Sequence, residues 1–298
     1  MKEEMRESPH GRSMLSLYKT CPRKWAFKYL KGFKSKESTD ALNLGSAIHE
    51  TQALYYLGMD LDACLIELRA FLSGNTHLFP KALEMFKAWE KELGQYDRKN
   101  CTVLAVEEEA PLELPNGYKM TVRWDRVLLD NKTKEVFISD TKTTGGSASR
   151  TLQLYSYSDQ PKLYIAAVLQ NKPFWLKQFT GWRTDVIYGR ELKSGKVNTE
   201  VIRSAIVSYS ETDIEDTLLS YADLTSEIAS ALLDIEAGNA TVQERFRSQN
   251  ENCFNYNRLC PYHSFCSEID SMEEPPANFE LDPWISSRIV LDSFKEIV

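Results

Sequence analysis

The chain has 298 residues, enough to bury a sizeable core in one large domain or two small ones. Its 42% apolar and 27% charged residues are ordinary for a soluble globular protein; a net charge of −7 argues against coating nucleic acid by bulk electrostatics but leaves room for a local basic groove. The charged N-terminus, MKEEMRESPHGR, is not a secretory signal and no stretch approaches the roughly 20 apolar residues of a membrane span, so a cytoplasmic protein with no membrane association is expected.

Residues 13–30 read as a helix, with Leu15, Tyr18, Trp25 and Tyr29 near helical spacing. The segment YKTCPRKWAFKYLKGFKSK, 18–36, interleaves basic and aromatic residues. A solvated amphipathic helix explains it more simply than a phosphate-facing one. LGSAIHETQALYYLG, 44–58, is a second helix that Gly58 ends, and 60–73 and 79–96 continue the pattern with breaks near Gly74 and Pro80. From Thr102 the period changes to that of strands: TVLAVEEEAPLEL, YKMTVRWDRVLL and EVFISDTKT. Gly145 and Gly146 open a loop. SDQPKLYIAAVLQ, 158–170, is a helix with Asp159 as its cap and Pro161 in its first turn. Residues 173–190 and 200–208 return to strand character, 211–238 form a long helix, and a cysteine-bearing segment and an acidic, proline-containing tail follow. Helices, a block of strands, a helix and more strands imply an α/β or α+β sheet covered by helices.

The stretch VFISDTKTT, 136–144, ends a strand with Asp140 and Lys142 on one face. If the preceding hairpin loop is even and centred on Lys132–Thr133, Asp125 lies directly across from Asp140. Arg123, Asp125, Asp140 and Lys142 then share a face with Val127, Leu129, Val136 and Ile138; an odd loop would separate the two acids. Adjacent carboxylates disfavour each other's ionised form unless a cation sits between them, and hard Mg²⁺ or Mn²⁺ suits such oxygen ligands. A neighbouring lysine can stabilise charge developing on a phosphate or help to deprotonate an attacking water. An isolated D-x-K is more simply a surface salt bridge. Taken singly, His49 is a satisfied helix histidine, Gln160 and Tyr164 are helix-surface residues, and Asp125 between Arg123 and Arg126 is a structural ion pair.

Together these pieces fall in a recognisable order: Gly45-x-x-x-His49 in GSAIH, Asp125 in TVRWDRV, Asp140-x-Lys142 in ISDTKT, and Gln160-x-x-x-Tyr164 in QPKLY. The order and spacing, over residues 13 to 266, resemble the PD-(D/E)XK nuclease superfamily, specifically its RecB-type exonuclease branch. The resemblance implies a restriction-endonuclease-like α/β fold with a central mixed sheet flanked by helices. It implies His49, Asp125, Asp140 and the Thr141 carbonyl as metal ligands, Lys142 as the catalytic lysine, and Gln160 and Tyr164 as residues that contact DNA or brace the site. Glu107 of VEEEA joins the site or its surroundings. Trp124 stands where many relatives have a smaller residue, and nothing acidic sits at Thr141.

CFNYNRLCPYHSFC spaces Cys253, Cys260 and Cys266 as C-x6-C-x5-C, and Cys21 supplies a fourth thiol. Members of the same branch, among them CRISPR-associated RecB-like and AddB-type nucleases, hold a [4Fe–4S] cluster between one N-terminal and three C-terminal cysteines, many with C-x2-C-x5-C. Four thiolates suit iron–sulfur or Zn²⁺, the latter with His263 as a substitute ligand, whereas Cys64 and Cys101 read as unligated core residues. Either metal would join the N- and C-terminal segments.

The expected organisation is one nuclease domain over 1–298: an N-terminal helix with the first cluster cysteine (13–40), a core (41–208), a long helix (211–240), a cluster segment (245–268) and a tail (269–298). The expected function is a Mg²⁺- or Mn²⁺-dependent DNA exonuclease acting on single-stranded ends in recombination, repair or phage- or CRISPR-related processing, with a helicase, recombination or CRISPR protein as partner. The alternatives are a catalytically weak DNA-binding or assembly subunit and a zinc-stapled interaction protein.

Overall fold

A computed structural model describes residues 11–36, 38–255, 258–282, 292–294 and 297. The chain opens with helices α1 (Arg12–Thr20) and α2 (Pro22–Trp25), split at the extended Cys21. Pro22 restricts the residue before it to extended backbone and starts the next helix, so one predicted helix becomes two, the second running into a π-turn at Ala26–Leu30. Strand β1 (Phe33–Ser35) is followed by α3 (Asp40–Tyr56), α4 (Leu61–Phe71), α5 (Phe79–Trp89) and α6 (Gln95–Asn100). Then come β2 (Cys101–Glu113), β3 (Lys119–Asp130), β4 (Val136–Thr144), α7 (Ala148–Ser156), α8 (Asp159–Asn171), β5 (Phe179–Glu191) and β6 (Val197–Arg203). The chain closes with α9 (Glu211–Glu236), α10 (Val242–Arg245), β7 (Phe254–Asn255), β8 (Arg258–Leu259) and β9 (Phe279–Leu281). Part of the expected tail is therefore a strand; 283–291 lie outside the described residues, as does 1–10 at the other end. No helix among the described residues is long and apolar enough to cross a membrane.

Strands β2 to β6 form one mixed sheet in sequence order, antiparallel between β3 and β4, parallel between β4 and β5, antiparallel between β5 and β6. This is the α/β arrangement of a restriction-endonuclease-like fold. The β3–β4 register pairs Leu129 with Val136, Leu128 with Phe137, Val127 with Ile138 and Arg126 with Ser139. The ladder ends at Arg126 and Ser139, a register whose continuation would set Asp125 opposite Asp140, in keeping with an even loop.

The described chain divides into two compact units, one of Ser38–Ala110 with Arg123–Ile214, the other of Met1–Glu37, Pro111–Val122 and Glu215–Val298. In the first, α3, α4 and α5 cover the sheet with a core that includes Ile48, Tyr55, Leu68, Phe86, Trp89, Leu128, Phe137 and Ile187. Burying each large apolar side chain is worth about 1.5–3 kcal/mol against leaving it in water. Side-chain caps fix where the helices start: Thr39 accepts from Leu42 N on α3 and Asp60 from Ala63 N on α4. On α8 the cap is Ser158, which accepts from Gln160 N, so Asp159 is the first helical residue rather than the cap. Gly45 lets α3 lie close against β4, since a Cβ there would stand 3.2 Å from Thr143 Oγ1.

Candidate active site

Five elements of the first unit, α3, β2, β3, β4 and α8, bring side chains to the site. Gly45 brings α3 against the end of β4, and His49, one turn further along, pairs its Nδ1 with Asp125 Oδ2 at 3.2 Å. The same Oδ2 accepts the Thr141 backbone N–H at 2.7 Å, which ties the two strands together at the site. Glu107 comes from β2 at a left-handed backbone position, φ 48°, strained for a residue with a side chain. One ligand atom each from His49, Glu107 and Asp125 lies within 4.8 Å of the others, the one such set among the described residues.

Asp140 is fully buried and is held on both sides. Lys142 Nζ lies 2.8 Å from its Oδ2, and Gln160 Nε2 donates to its Oδ1 at 3.2 Å. Gln160 Nε2 is also 3.2 Å from the Tyr164 hydroxyl, so the i and i+4 residues of α8 act as one brace. Lys142 in turn sits over the Tyr155 ring of α7, 4.9 Å from its centroid.

Seven of the side chains expected at the nuclease site lie here, in two groups. Asp140, Lys142, Gln160 and Tyr164 form one; His49, Glu107 and Asp125 form the other. Glu107 therefore stands with His49 and Asp125, and the carboxylate of Asp140 is occupied by Lys142 and Gln160.

The electrostatics follow from crowding acids in a poorly solvated place. Burial, then the Asp125 charge, pushes Glu107 up to about 7. Burial and Asp125 likewise raise Asp140 to about 6 against the pull of Lys142. For Asp125 burial works upward, but the His49 charge and hydrogen bond outweigh it and hold the group below the usual carboxylate range. Burial disfavours the charged form of Lys142, yet Asp140 and neighbouring acids win and raise its pKa. Such a set is costly without a cation. One imidazole and two carboxylates are the donors that a divalent ion of the Mg²⁺ or Mn²⁺ kind takes, so the residues fit that group.

Behind the site lies a buried ionic network that sequence reasoning missed. Arg126 points away from the Asp125 face, donating to Thr141 Oγ1 at 2.9 Å and to Asp185 Oδ2 at 2.6 Å. Arg203 binds Asp185 and Asp97 together, with Nε 2.7 Å from Asp185 Oδ1 and Nη2 2.7 Å from Asp97 Oδ2. Tyr56 donates to Asp97 at 2.7 Å. The acid inside the β5 run GWRTDVIYG was the available signal: a carboxylate in an otherwise buried strand needs a cation.

In the second unit Cys21, Cys253, Cys260 and Cys266 line one cavity together with Arg23 and His263. The Cys253 carbonyl accepts from Cys260 N at 2.7 Å, and the Cys260 carbonyl from His263 N at 3.0 Å, which folds the segment around the thiols. Burial raises the Cys260 and Cys266 thiols, and the neighbouring cysteines add to it. Cys64 and Cys101 are buried elsewhere, both raised to about 11 chiefly by burial.

Two solved structures share features with this chain. One is described as a "Putative exonuclease" from Eubacterium rectale, 14% identical, covering 80% of this chain and 88% of its own, with a TM-score of 0.49. The other, SSO0001, is 12% identical, covers 72% of this chain and 88% of its own, and has a TM-score of 0.26. No curated protein matches the chain. The family model of the PD-(D/E)XK nuclease superfamily matches residues 12–267, which includes both groups of site residues and all four cavity cysteines. The chain belongs to the PD-(D/E)XK nuclease superfamily.

Proposed function

We propose that the chain is a Mg²⁺- or Mn²⁺-dependent deoxyribonuclease of the RecB type, an exonuclease acting on single-stranded DNA ends in recombination, repair or CRISPR-related processing. The observation that carries the reading is that His49 pairs with Asp125, Lys142 pairs with Asp140, and Asp125 also accepts the backbone N–H of Thr141, the residue after Asp140. His49, Glu107 and Asp125 would hold the ion, with Asp140 and the Thr141 carbonyl in the further ligand roles the family implies. A bound divalent ion supplies charge neutralisation at the scissile phosphate and acidifies the attacking water. Lys142, kept protonated by Asp140, presents a fixed cation to the charge that develops on the phosphate. Gln160 and Tyr164 hold the Asp140 carboxylate in one orientation, so little reorganisation is needed during reaction.

The cysteine cavity supports a structural cluster bound by Cys21, Cys253, Cys260 and Cys266. Four thiols in one cavity suit either a [4Fe–4S] group or zinc, and the cluster is favoured because the cysteine pattern resembles that of the cluster-bearing branch.

Digestion of end-labelled single- and double-stranded DNA with Mg²⁺, Mn²⁺ or EDTA tests the activity. Progressive shortening of single strands, abolished by EDTA, is the expected result. Equal degradation of circular DNA would replace the exonuclease reading with an endonuclease, and metal-independent or absent cleavage would overturn it. Iron and acid-labile sulfide in anaerobically purified protein test the cluster; stoichiometric zinc without iron would overturn it.

A further inference from the structure

A small cavity beside the ligand set is lined by His49, Gln52, Tyr56, Glu107, Asp125 and Arg126. Gln52 lies on α3 three residues after His49, where i and i+3 share a helix face. It is 2% exposed, and its Nε2 is buried with no hydrogen-bond partner. Arg126 Nε shares that condition, although its other two guanidinium nitrogens are bonded to Thr141 and Asp185. An unpaired buried N–H is costly, and native proteins keep few of them. A leucine or methionine would fill the same space without the cost.

The charged acceptors among the cavity's lining residues are the carboxylates of Glu107 and Asp125. The contacts of Asp125 fall on Oδ2, from His49 and Thr141, and the Arg123 ion pair of Glu107 falls on Oε2 at 3.3 Å. Each acid thus has a second oxygen to offer. We infer that Gln52 belongs to the metal site as a positioning residue, its amide N–H steadying the Glu107 and Asp125 carboxylates when a divalent ion is held there. The inference rests on the metal-dependent reading above. Groups that orient the ligands of an ion typically change its affinity by about 10- to 100-fold when removed.

The test is Gln52→Met, with Gln52→Leu as a second apolar replacement, read by Mn²⁺ titration calorimetry and by thermal unfolding without metal. Both variants should melt no lower than the wild type in EDTA, because the lost amide has no partner in the metal-free fold. Both should bind Mn²⁺ about 10- to 100-fold more weakly. Unchanged Mn²⁺ affinity in either well-folded variant overturns the inference while leaving the metal site standing. A clear drop in the metal-free melting point of both also overturns it, since the amide would then be engaged within the fold itself. If the wild type binds no Mn²⁺, the metal reading falls and this inference with it.

Discussion

Asp140 and Lys142 show how two residues can share one charge balance. The carboxylate has no exposed surface, and its Oδ2 sits 2.8 Å from the lysine cation. Neither side chain anchors the apolar core, so Asp140→Ala and Lys142→Ala should leave the fold intact. Each should lower kcat by about 10²–10³-fold or more, the scale for losing a fixed charge at a developing oxyanion. Wild-type turnover by purified Asp140→Ala protein would show the assignment to be wrong. His49 offers a separate check. Burial disfavours its charged form, but the Asp125 carboxylate outweighs burial and raises its pKa. His49→Ala should shift the Mg²⁺ and Mn²⁺ titrations of activity to higher concentrations; a titration superimposable on the wild type would make it an ordinary helix histidine.

At the level of elements, the buried network joins α6, β3, β5 and β6 through Asp97, Arg126, Asp185 and Arg203. Asp185→Ala should cost about 3–5 kcal/mol, because it leaves Arg126 and Arg203 buried without their acid. Asp185 is held down to about 2: burial works to raise it, but the arginines prevail. A carboxyl depressed in the fold stabilises above its unfolded pKa of about 3.9 and loses that contribution as pH falls toward about 2. Urea midpoints should therefore drop between pH 5 and 2.5, and Asp185→Asn should flatten that part of the dependence. This network was illegible because a strand acid announces a need for a cation without saying which arginine, from which strand, will meet it. The strands and their register were legible, since β-branched runs and loop parity act locally. Helix α7 was not: at nine residues, with only Ala148 buried in it, it has too short an apolar period to stand out after Gly145–Gly146. The Ser158 cap was missed because Ser and Asp cap about equally well, so adjacent candidates are not separable by type. Gln52 was invisible for another reason: a glutamine in a helix becomes conspicuous only when burial removes its water.

On the scale of the whole molecule, the unit that holds the four cavity cysteines is assembled from chain segments far apart in sequence. The Arg23 guanidinium donates to the carbonyls of Gln243 at 2.6 Å, Phe246 at 2.5 Å and Cys266 at 2.7 Å. Closing so long a loop with a metal clip should contribute on the order of a few kcal/mol. Cys21→Ser and Cys260→Ser should therefore lower the melting temperature and remove bound metal, whereas Cys64→Ser and Cys101→Ser should retain it with only a packing loss. Retained metal in Cys21→Ser protein would refute the clip. The Arg23 contacts also set an order of events during translation. A ribosome makes Arg23 early, yet its acceptors follow 220 to 243 residues later. A nascent chain stalled before Cys253 has a single thiol of the four and lacks the Cys266 carbonyl, one of the three that hold Arg23. The four-thiol cavity is complete only once Cys266 has emerged from the exit tunnel, so any iron or zinc held by all four thiols must be delivered after that point.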